Sequence, residues 1–487
     1  MGSPLPLDPT KMKKSNLLLV VLVLALGLVI LSYQLNKEPV VDEKIVNGPT
    51  VDEPVVDRPG EATYPKVDFM YGFEFPGDWS AVPVTEFTAF YPATASWQWL
   101  KSDHPGSGGL NAGMGCNNCH TGQEEKLGNS LVSGNNKFGL EPDPIEGKEG
   151  YKNVKAQAAY DDKKFYLRVE WESERPGISH EYWRYNGEKW ERWSSNKPGV
   201  LKAGKMPSYE DRFAVILDDK NVPAYDGANI GFEQVGCWQT CHNPMRNMPG
   251  EVSKDNAQAG IGKEDVRKYL LVTRTDYTGT DGNWADLKSK EDLDQLLADG
   301  KFLDLWMFRA ARSGPIGYAS DDWVFDYRDA DIGGKNPFTT PEQPEFMFNE
   351  ELLGFRAIPE DKFESKLLEA IMVKEETSVG FGPTVVPMDK NAEFKEGDIV
   401  MRRILQEPTE NRKDIRAYSI WENGRWTVTF VRDLDTGNAN DKALVEGNKY
   451  NIGFGVFDDH TTTRRHYVTL PMTIGIGVDA DLKAVKI

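Results

Sequence analysis

Two short stretches constrain this chain more than any other: Cys116-Asn-Asn-Cys119-His120 and Cys237-Trp-Gln-Thr-Cys241-His242. The first has the C-x-x-C-H pattern of a covalent c-type haem site. Two thiols add across the vinyl groups on one edge of the macrocycle, and the adjacent imidazole ligates the iron. The second carries one extra residue between the cysteines, a rarer variant of the same device. Together they use all four cysteines of the 487-residue chain. Two disulfides would give the following histidines no purpose, and cysteines this close in sequence rarely bridge. A zinc site from both pairs would also leave the histidines unexplained. The expectation is two haem c groups, held by Cys116, Cys119, Cys237 and Cys241, with His120 and His242 as proximal iron ligands.

Acidic residues outnumber basic ones by 76 to 57, for a formal charge of -19. That argues against a nucleic-acid binder and suits redox protein partners with a basic docking face, although ordinary solubility also calls for such a surface.

Residues 17–35 begin with an unbroken apolar run from Leu17 to Leu31, preceded by Lys11, Lys13 and Lys14. The positive-inside rule places residues 1–16 in the cytoplasm and the body in the periplasm or another extracytoplasmic space. A cleaved signal peptide is the competing reading, but no small-x-small site follows the run. A single-pass transmembrane anchor is therefore expected. Residues 36–63 nearly repeat Glu-Pro-Val-Val-Asp and are rich in proline and acid, which predicts an extended linker.

Residues 64–149 hold the first motif in a small, loop-rich haem segment with aromatic stretches and a helical turn near Trp97. From residue 150 to 487 the pattern turns to strands. Val154 to Tyr160, Asp162 to Trp171, Arg212 to Leu217, Tyr269 to Arg274 and Asp304 to Ala310 are β-branched or alternating runs. Arg416 to Ile420 and Trp426 to Val431 flank Asn423-Gly424, a hairpin signal. Tyr450 to Phe457 and His466 to Leu470 read as closing strands, and short helices are expected near Lys263 to Tyr269, Lys290 to Leu297 and Lys362 to Met372. The class is mainly β, a β-sandwich with long loops and short helices.

These strands resemble the haem-binding domain of the ethylbenzene dehydrogenase gamma-subunit family. That domain is shared with the gamma subunits of dimethylsulfide, chlorate and nitrite oxidoreductases and related to cytochrome c-552 and DMSO-reductase-like haem domains. The residues carrying the likeness are Tyr209-Glu-Asp-Arg-Phe-Ala-Val-Ile-Leu217, Asp304-Leu-Trp-Met307, Asp414-Ile-Arg-Ala417, Asn423-Gly-Arg-Trp-Thr-Val428 and Tyr450-Asn-Ile-Gly-Phe-Gly-Val-Phe-Asp458. Trp97-Gln-Trp-Leu100, His104-Pro-Gly106 and the first motif resemble a c-haem segment fused to this domain in some dihaem cytochromes. The family's gamma subunits hold a b-type haem between a Met and a Lys, the Lys lying in an Arg-Lys-x-Val-Ser pattern. Here that stretch reads Arg465-His466-Tyr467-Val468-Thr469, so the resemblance implies His466 as distal ligand of the second haem. It also implies that a role inside a molybdenum enzyme cannot be carried over unchanged.

With six histidines in the chain, each is a candidate ligand. His104 lies in a loop able to fold back over the first haem, with Met114 competing. For the second haem, His460 and Met307 stand behind His466, and Met245 and Met248 are expected to wall its pocket. His180 is expected on a solvated turn. Two strong axial ligands leave iron only electron exchange, whereas an open position permits substrate chemistry. The reading is a membrane-anchored electron carrier. The alternatives are an electron-transfer subunit of a molybdopterin oxidoreductase, in a larger respiratory or photosynthetic complex, and a dihaem peroxidase or nitrogen-oxide reductase with one open iron.

Overall fold

The computed structural model describes residues 66–68, 74–92, 97–135, 148–174, 176–178, 180–193, 210–224, 227–237, 270–275, 287–326, 343–363, 365–367, 384–403, 414–458 and 466–487. The expected anchor and linker lie outside them. Among the described residues, no helix is long and apolar enough to cross a membrane.

Twelve strands form one large sheet: β1 (Thr85–Phe90), β2 (Tyr151–Tyr160), β3 (Lys164–Glu172), β4 (Arg212–Asp218), β5 (Leu303–Arg309), β6 (Ser320–Val324), β7 (Arg416–Glu422), β8 (Arg425–Asp433), β9 (Lys449–Phe457), β10 (Tyr467–Val468), β11 (Met472–Ile476) and β12 (Leu482–Lys486). Their order is β6-β5-β4-β9-β10-β1-β2-β3-β8-β7, with β11 and β12 making a second bridge from β9 to β2. Pairing is antiparallel except at β11–β12 and β12–β2. The mainly β class read from the sequence is the one adopted.

The sheet folds over so that β4 and β5 face β3 and β8. Trp171 meets Phe213 at 5.5 Å between ring centres, Phe165 meets Trp306 at 6.0 Å, and Phe308 meets Trp426 at 5.9 Å. Each such ring buries a large apolar area at an aromatic geometry worth about 1 kcal/mol beyond the burial itself. Trp426 is fully buried, and its indole N–H donates to Asp211 Oδ2 at 2.9 Å. β4 is apolar at consecutive positions because both of its faces are covered. Phe213, Val215 and Leu217 enter the inner core, while Ala214 and Ile216 join a second apolar cluster on the outer face. That outer face is where the motifs lie.

The hairpin is as expected. β7 and β8 pair from Glu422 against Arg425 outward, and Asn423 and Gly424 both have positive φ, 49° and 75°. That mirror-image turn matches the strand twist.

Six helices matter here: α1 (Trp97–Ser102), α2 (Ser107–Asn111), α3 (Asn117–His120), α4 (Glu124–Val132), α5 (Phe232–Val235) and α6 (Lys290–Ala298). α6 is the helix expected from Lys290, started by Ser289, whose hydroxyl accepts from Asp292 N–H at 3.1 Å. The helix expected at Lys362 is described only in part, and the one at Lys263 to Tyr269 lies outside the described residues.

Some expectations need correcting. Leu271–Thr273 is a 3-10 turn rather than a strand, closed by the Thr273 hydroxyl on the Leu270 carbonyl at 2.6 Å. The stretch from His466 to Leu470 contributes only two strand residues, since Pro471 has no N–H to continue the ladder. The chain then re-enters the sheet as β11 and β12. β1, from the segment 64–149, pairs with β2 along its whole length.

Candidate functional site

The first motif is a single helical turn. Cys119 N–H and His120 N–H both donate to the Cys116 carbonyl, at 3.2 and 3.0 Å. Residues at i, i+3 and i+4 share one face of a helix, so both thiols and the imidazole point the same way. Side chains brace the turn. Gly115 N–H donates to Asn118 Oδ1 at 2.7 Å, and Gln123 Nε2 to the Cys119 carbonyl at 2.8 Å.

That face opens on a cavity of about 760 Å³. Its walls come from three places. Trp99, Leu100, His104 and Leu110 come from α1, α2 and the loop between them; Leu127 and Leu131 come from α4; Val468, Thr469, Leu470 and Pro471 come from the break between β10 and β11. The size lies within the usual range of cofactor pockets, and the lining is mostly apolar.

His104 faces His120 across this space, ring centres 6.1 Å apart and planes 70° apart. A metal held between two imidazole nitrogens at roughly 2.0 Å each, with about 1.1 Å from nitrogen to ring centre on either side, would require about 6.2 Å. The spacing meets that requirement. His104 is held by an edge-on contact with Trp99 at 5.1 Å and by Gly106 N–H, which donates to Nδ1 at 3.0 Å. This leaves Nε2 as its available nitrogen. His104 Nε2 is thus the nitrogen that would be offered to a haem iron held in this cavity. His120 Nδ1 is buried and has no hydrogen-bond partner among the described residues.

The electrostatics suit neutral ligands. Burial, then the nearby His120, holds the His104 imidazole below its ordinary range, and burial does the same to His120. Both therefore offer a lone pair at neutral pH. Burial also pushes the Cys116 thiol up to about 11. Met114 lines the cavity as well, exposed by 44%. Its sulfur rests against Gly109, where an added Cβ would stand 2.8 Å away.

The second motif is described as far as Cys237. Cys241, His242, Met245, Met248 and His460 lie outside the described residues. Cys237 follows α5 and is buried in the outer apolar cluster with Met307, Phe457 and Val468. Its sulfur packs on β9 where Gly453 has no side chain, and a Cβ there would meet it at 2.5 Å. In the sheet register Met307, Ala214, Gly455 and Val468 form one row across β5, β4, β9 and β10, hence one face. His466 is buried beside it, stacked on Phe457 at 4.1 Å and 15°. Cys237, Met307 and His466 are thus brought to one face, over a floor of glycine and alanine.

The two motifs touch through the backbone: Cys116 N–H donates to the Gln234 carbonyl at 2.8 Å. Sequence reasoning missed Gln234, the 468–471 wall and the glycines of β9. For the glycines a signal existed, because Gly453 and Gly455 inside a strand mark a close approach. His180 is corrected outright. It is 4% exposed, and its Nδ1 accepts from Glu181 N–H at 2.8 Å.

The donor set, two thiols and two facing imidazoles around an apolar cavity, fits a covalently attached haem. Comparison with known proteins points the same way. Cytochrome c-552 of Stutzerimonas stutzeri is 24% identical over 416 residues, covering 84% of this chain and 91% of that protein. Cytochrome c-551 of Rhodocyclus tenuis is 28% identical over 192 residues, 39% of this chain and 66% of that protein. The profile of the ethylbenzene dehydrogenase family matches residues 77–469, most of the chain, and the chain belongs to that family.

Proposed function

We propose that this chain is a dihaem c-type cytochrome that carries electrons between redox partners. The 6.1 Å spacing of His104 and His120 over the Cys116–Cys119 turn carries this reading. Haem bound there supplies a one-electron iron couple. The protein's own part is to close the iron on both faces, exclude solvent with Trp99, Leu127 and Leu470, and hold both imidazoles neutral. Two imidazoles leave no coordination position for a substrate, which disfavours the peroxidase and nitrogen-oxide readings at this haem.

The second haem rests on Cys237, Cys241 and His242, with His466 as distal ligand. The buried face shared by Cys237 and His466 supports it. The apolar run after Lys11, Lys13 and Lys14 supports a membrane anchor with an extracytoplasmic body, where c-type haem is attached. The charge of -19 supports a partner with a basic docking face.

A pyridine haemochrome count followed by low-temperature EPR of the oxidised protein tests this. Two covalent haems, both low-spin with bis-imidazole signals, are expected. A substantial high-spin fraction would replace the carrier with an enzyme.

A further inference from the structure

On the inner face of the sheet, three carboxylates converge. Asp304 on β5 and Asp321 on β6 share that face, because Asp321 pairs with Trp306 and alternate residues of a strand point the same way. Asp441 reaches them from the loop after β8. One carboxylate oxygen from each lies within 4.8 Å of the others. Asp304 and Asp321 are 0% and 1% exposed.

Asp304 is well satisfied. It accepts from Arg432 Nη1 at 2.8 Å, from Trp306 Nε1 at 2.7 Å and from Lys442 N–H at 3.1 Å. Asp321 is the opposite case: both of its carboxylate oxygens are buried with no hydrogen-bond partner among the described residues. Asp441 is in between, since Oδ2 accepts from Thr436 Oγ1 at 2.6 Å while Oδ1 is buried and has no partner among the described residues. Three carboxylates thus face one guanidinium. The ammonium of Lys442 is engaged elsewhere, on Asp219 and the Gly300 carbonyl, both at 2.6 Å.

An ionised carboxylate buried without a donor needs a counter-charge. We propose that Asp304, Asp321 and Asp441 bind one divalent cation, Ca²⁺ by their chemistry. Two uncompensated negative charges match one such ion. The cluster offers hard oxygen donors, which do not select zinc or copper. Ca²⁺ accepts bidentate and irregular carboxylate ligation, whereas Mg²⁺ demands a regular octahedron and keeps its waters. The ion ties the 434–442 loop to the β5–β6 edge, and β5 also carries Met307. The site is therefore structural, a clasp behind the outer apolar face. The competing arrangement is a proton shared between the carboxyls, which burial favours at Asp321.

The test uses the full-length, haem-loaded protein. Metal content is measured by mass spectrometry after dialysis against Ca²⁺ and removal of free ion, and Tm is measured with EDTA and with millimolar Ca²⁺. The expected result is one Ca²⁺ per chain and a Tm about 5 °C higher in Ca²⁺ than in EDTA. Asp321→Asn, close in volume, should bind no Ca²⁺ and show no such increment, with an unchanged haem spectrum. A metal-free wild type whose Tm ignores both EDTA and Ca²⁺ would overturn the proposal in favour of the shared proton. So would an Asp321→Asn protein that retains the ion, which would put the metal elsewhere. Should that variant fail to fold, the wild-type measurements decide alone.

Discussion

The Cys116 N–H donates to the Gln234 carbonyl at 2.8 Å, three residues before Cys237. A three-residue chain reach keeps Cys116 and Cys237 within about 18 Å, Cα to Cα. Groups attached there would be neighbours, each sensing the other's charge. At such a separation and an effective dielectric constant near 20, a unit charge contributes about 1 kcal/mol, on the order of 50 mV for one electron. Cys237→Ala/Cys241→Ala, loaded at the first site only, should shift that haem's midpoint by about this amount in a spectroelectrochemical titration. An unmoved midpoint, with the haem count reduced to one, would mean that the groups are distant.

Gly453 concerns the second motif alone. A Cβ there would stand 2.5 Å from the Cys237 sulfur and 3.3 Å from its backbone nitrogen. The sulfur is the atom that has to move, so Gly453→Ala displaces the Cys237 thiol from its seat on β9. Haem incorporation at the second site should fall several-fold while the first site is unaffected. Peptide mass spectrometry of the two haem-bearing fragments reads this directly, and equal loading of both would refute it.

Much of this site was legible in the sequence because covalent chemistry leaves local signatures. Cys116, Cys119 and His120 are one helical turn, and their spacing alone dictates that they share a face. The hairpin at Asn423-Gly424 was equally local. What could not be read was non-local. Nothing in the sequence near Cys116 names Gln234, and nothing near His104 fixes its distance from His120. That distance depends on how α1 packs against α2 and on the Trp99 ring set edge-on to His104. His180 was misread because a polar residue beside Glu181 looks solvated, whereas the fold buries it. β11 and β12 were missed because their partners, β9 and β2, are distant or out of chain order.

His180 makes stability depend on pH. Burial, then the charges of Arg312, Arg212, Arg403 and Arg309, holds its imidazole neutral well below the ordinary range. In the unfolded chain the same group titrates near 6.5, roughly. Below that pH the unfolded chain gains a proton that the folded chain refuses. The contribution is therefore fully favourable above about pH 6.5 and is lost as pH falls, by up to about 1.4 kcal/mol per unit. His180→Gln should flatten the acid-side slope of urea-derived stability by about that amount. An unchanged slope would mean that folded His180 is protonated with its neighbours.

If His104 is the distal ligand proposed, its replacement should separate coordination from attachment. The Cys116–Cys119 turn is braced by Asn118 and Gln123, not by His104, so covalent haem should survive at the first site in His104 variants. His104→Ala removes the imidazole 6.1 Å from His120 and opens one face of the iron. A high-spin EPR signal from one haem is expected, with the other unchanged. His104→Met restores a sixth ligand of lower field and should return the low-spin state at a potential higher on the order of 100 mV, since a thioether favours the reduced iron. If His104→Ala stays low-spin, another group has reached the iron. Met114, on the same cavity wall, is then the residue to replace, and a high-spin signal from the double variant would identify it.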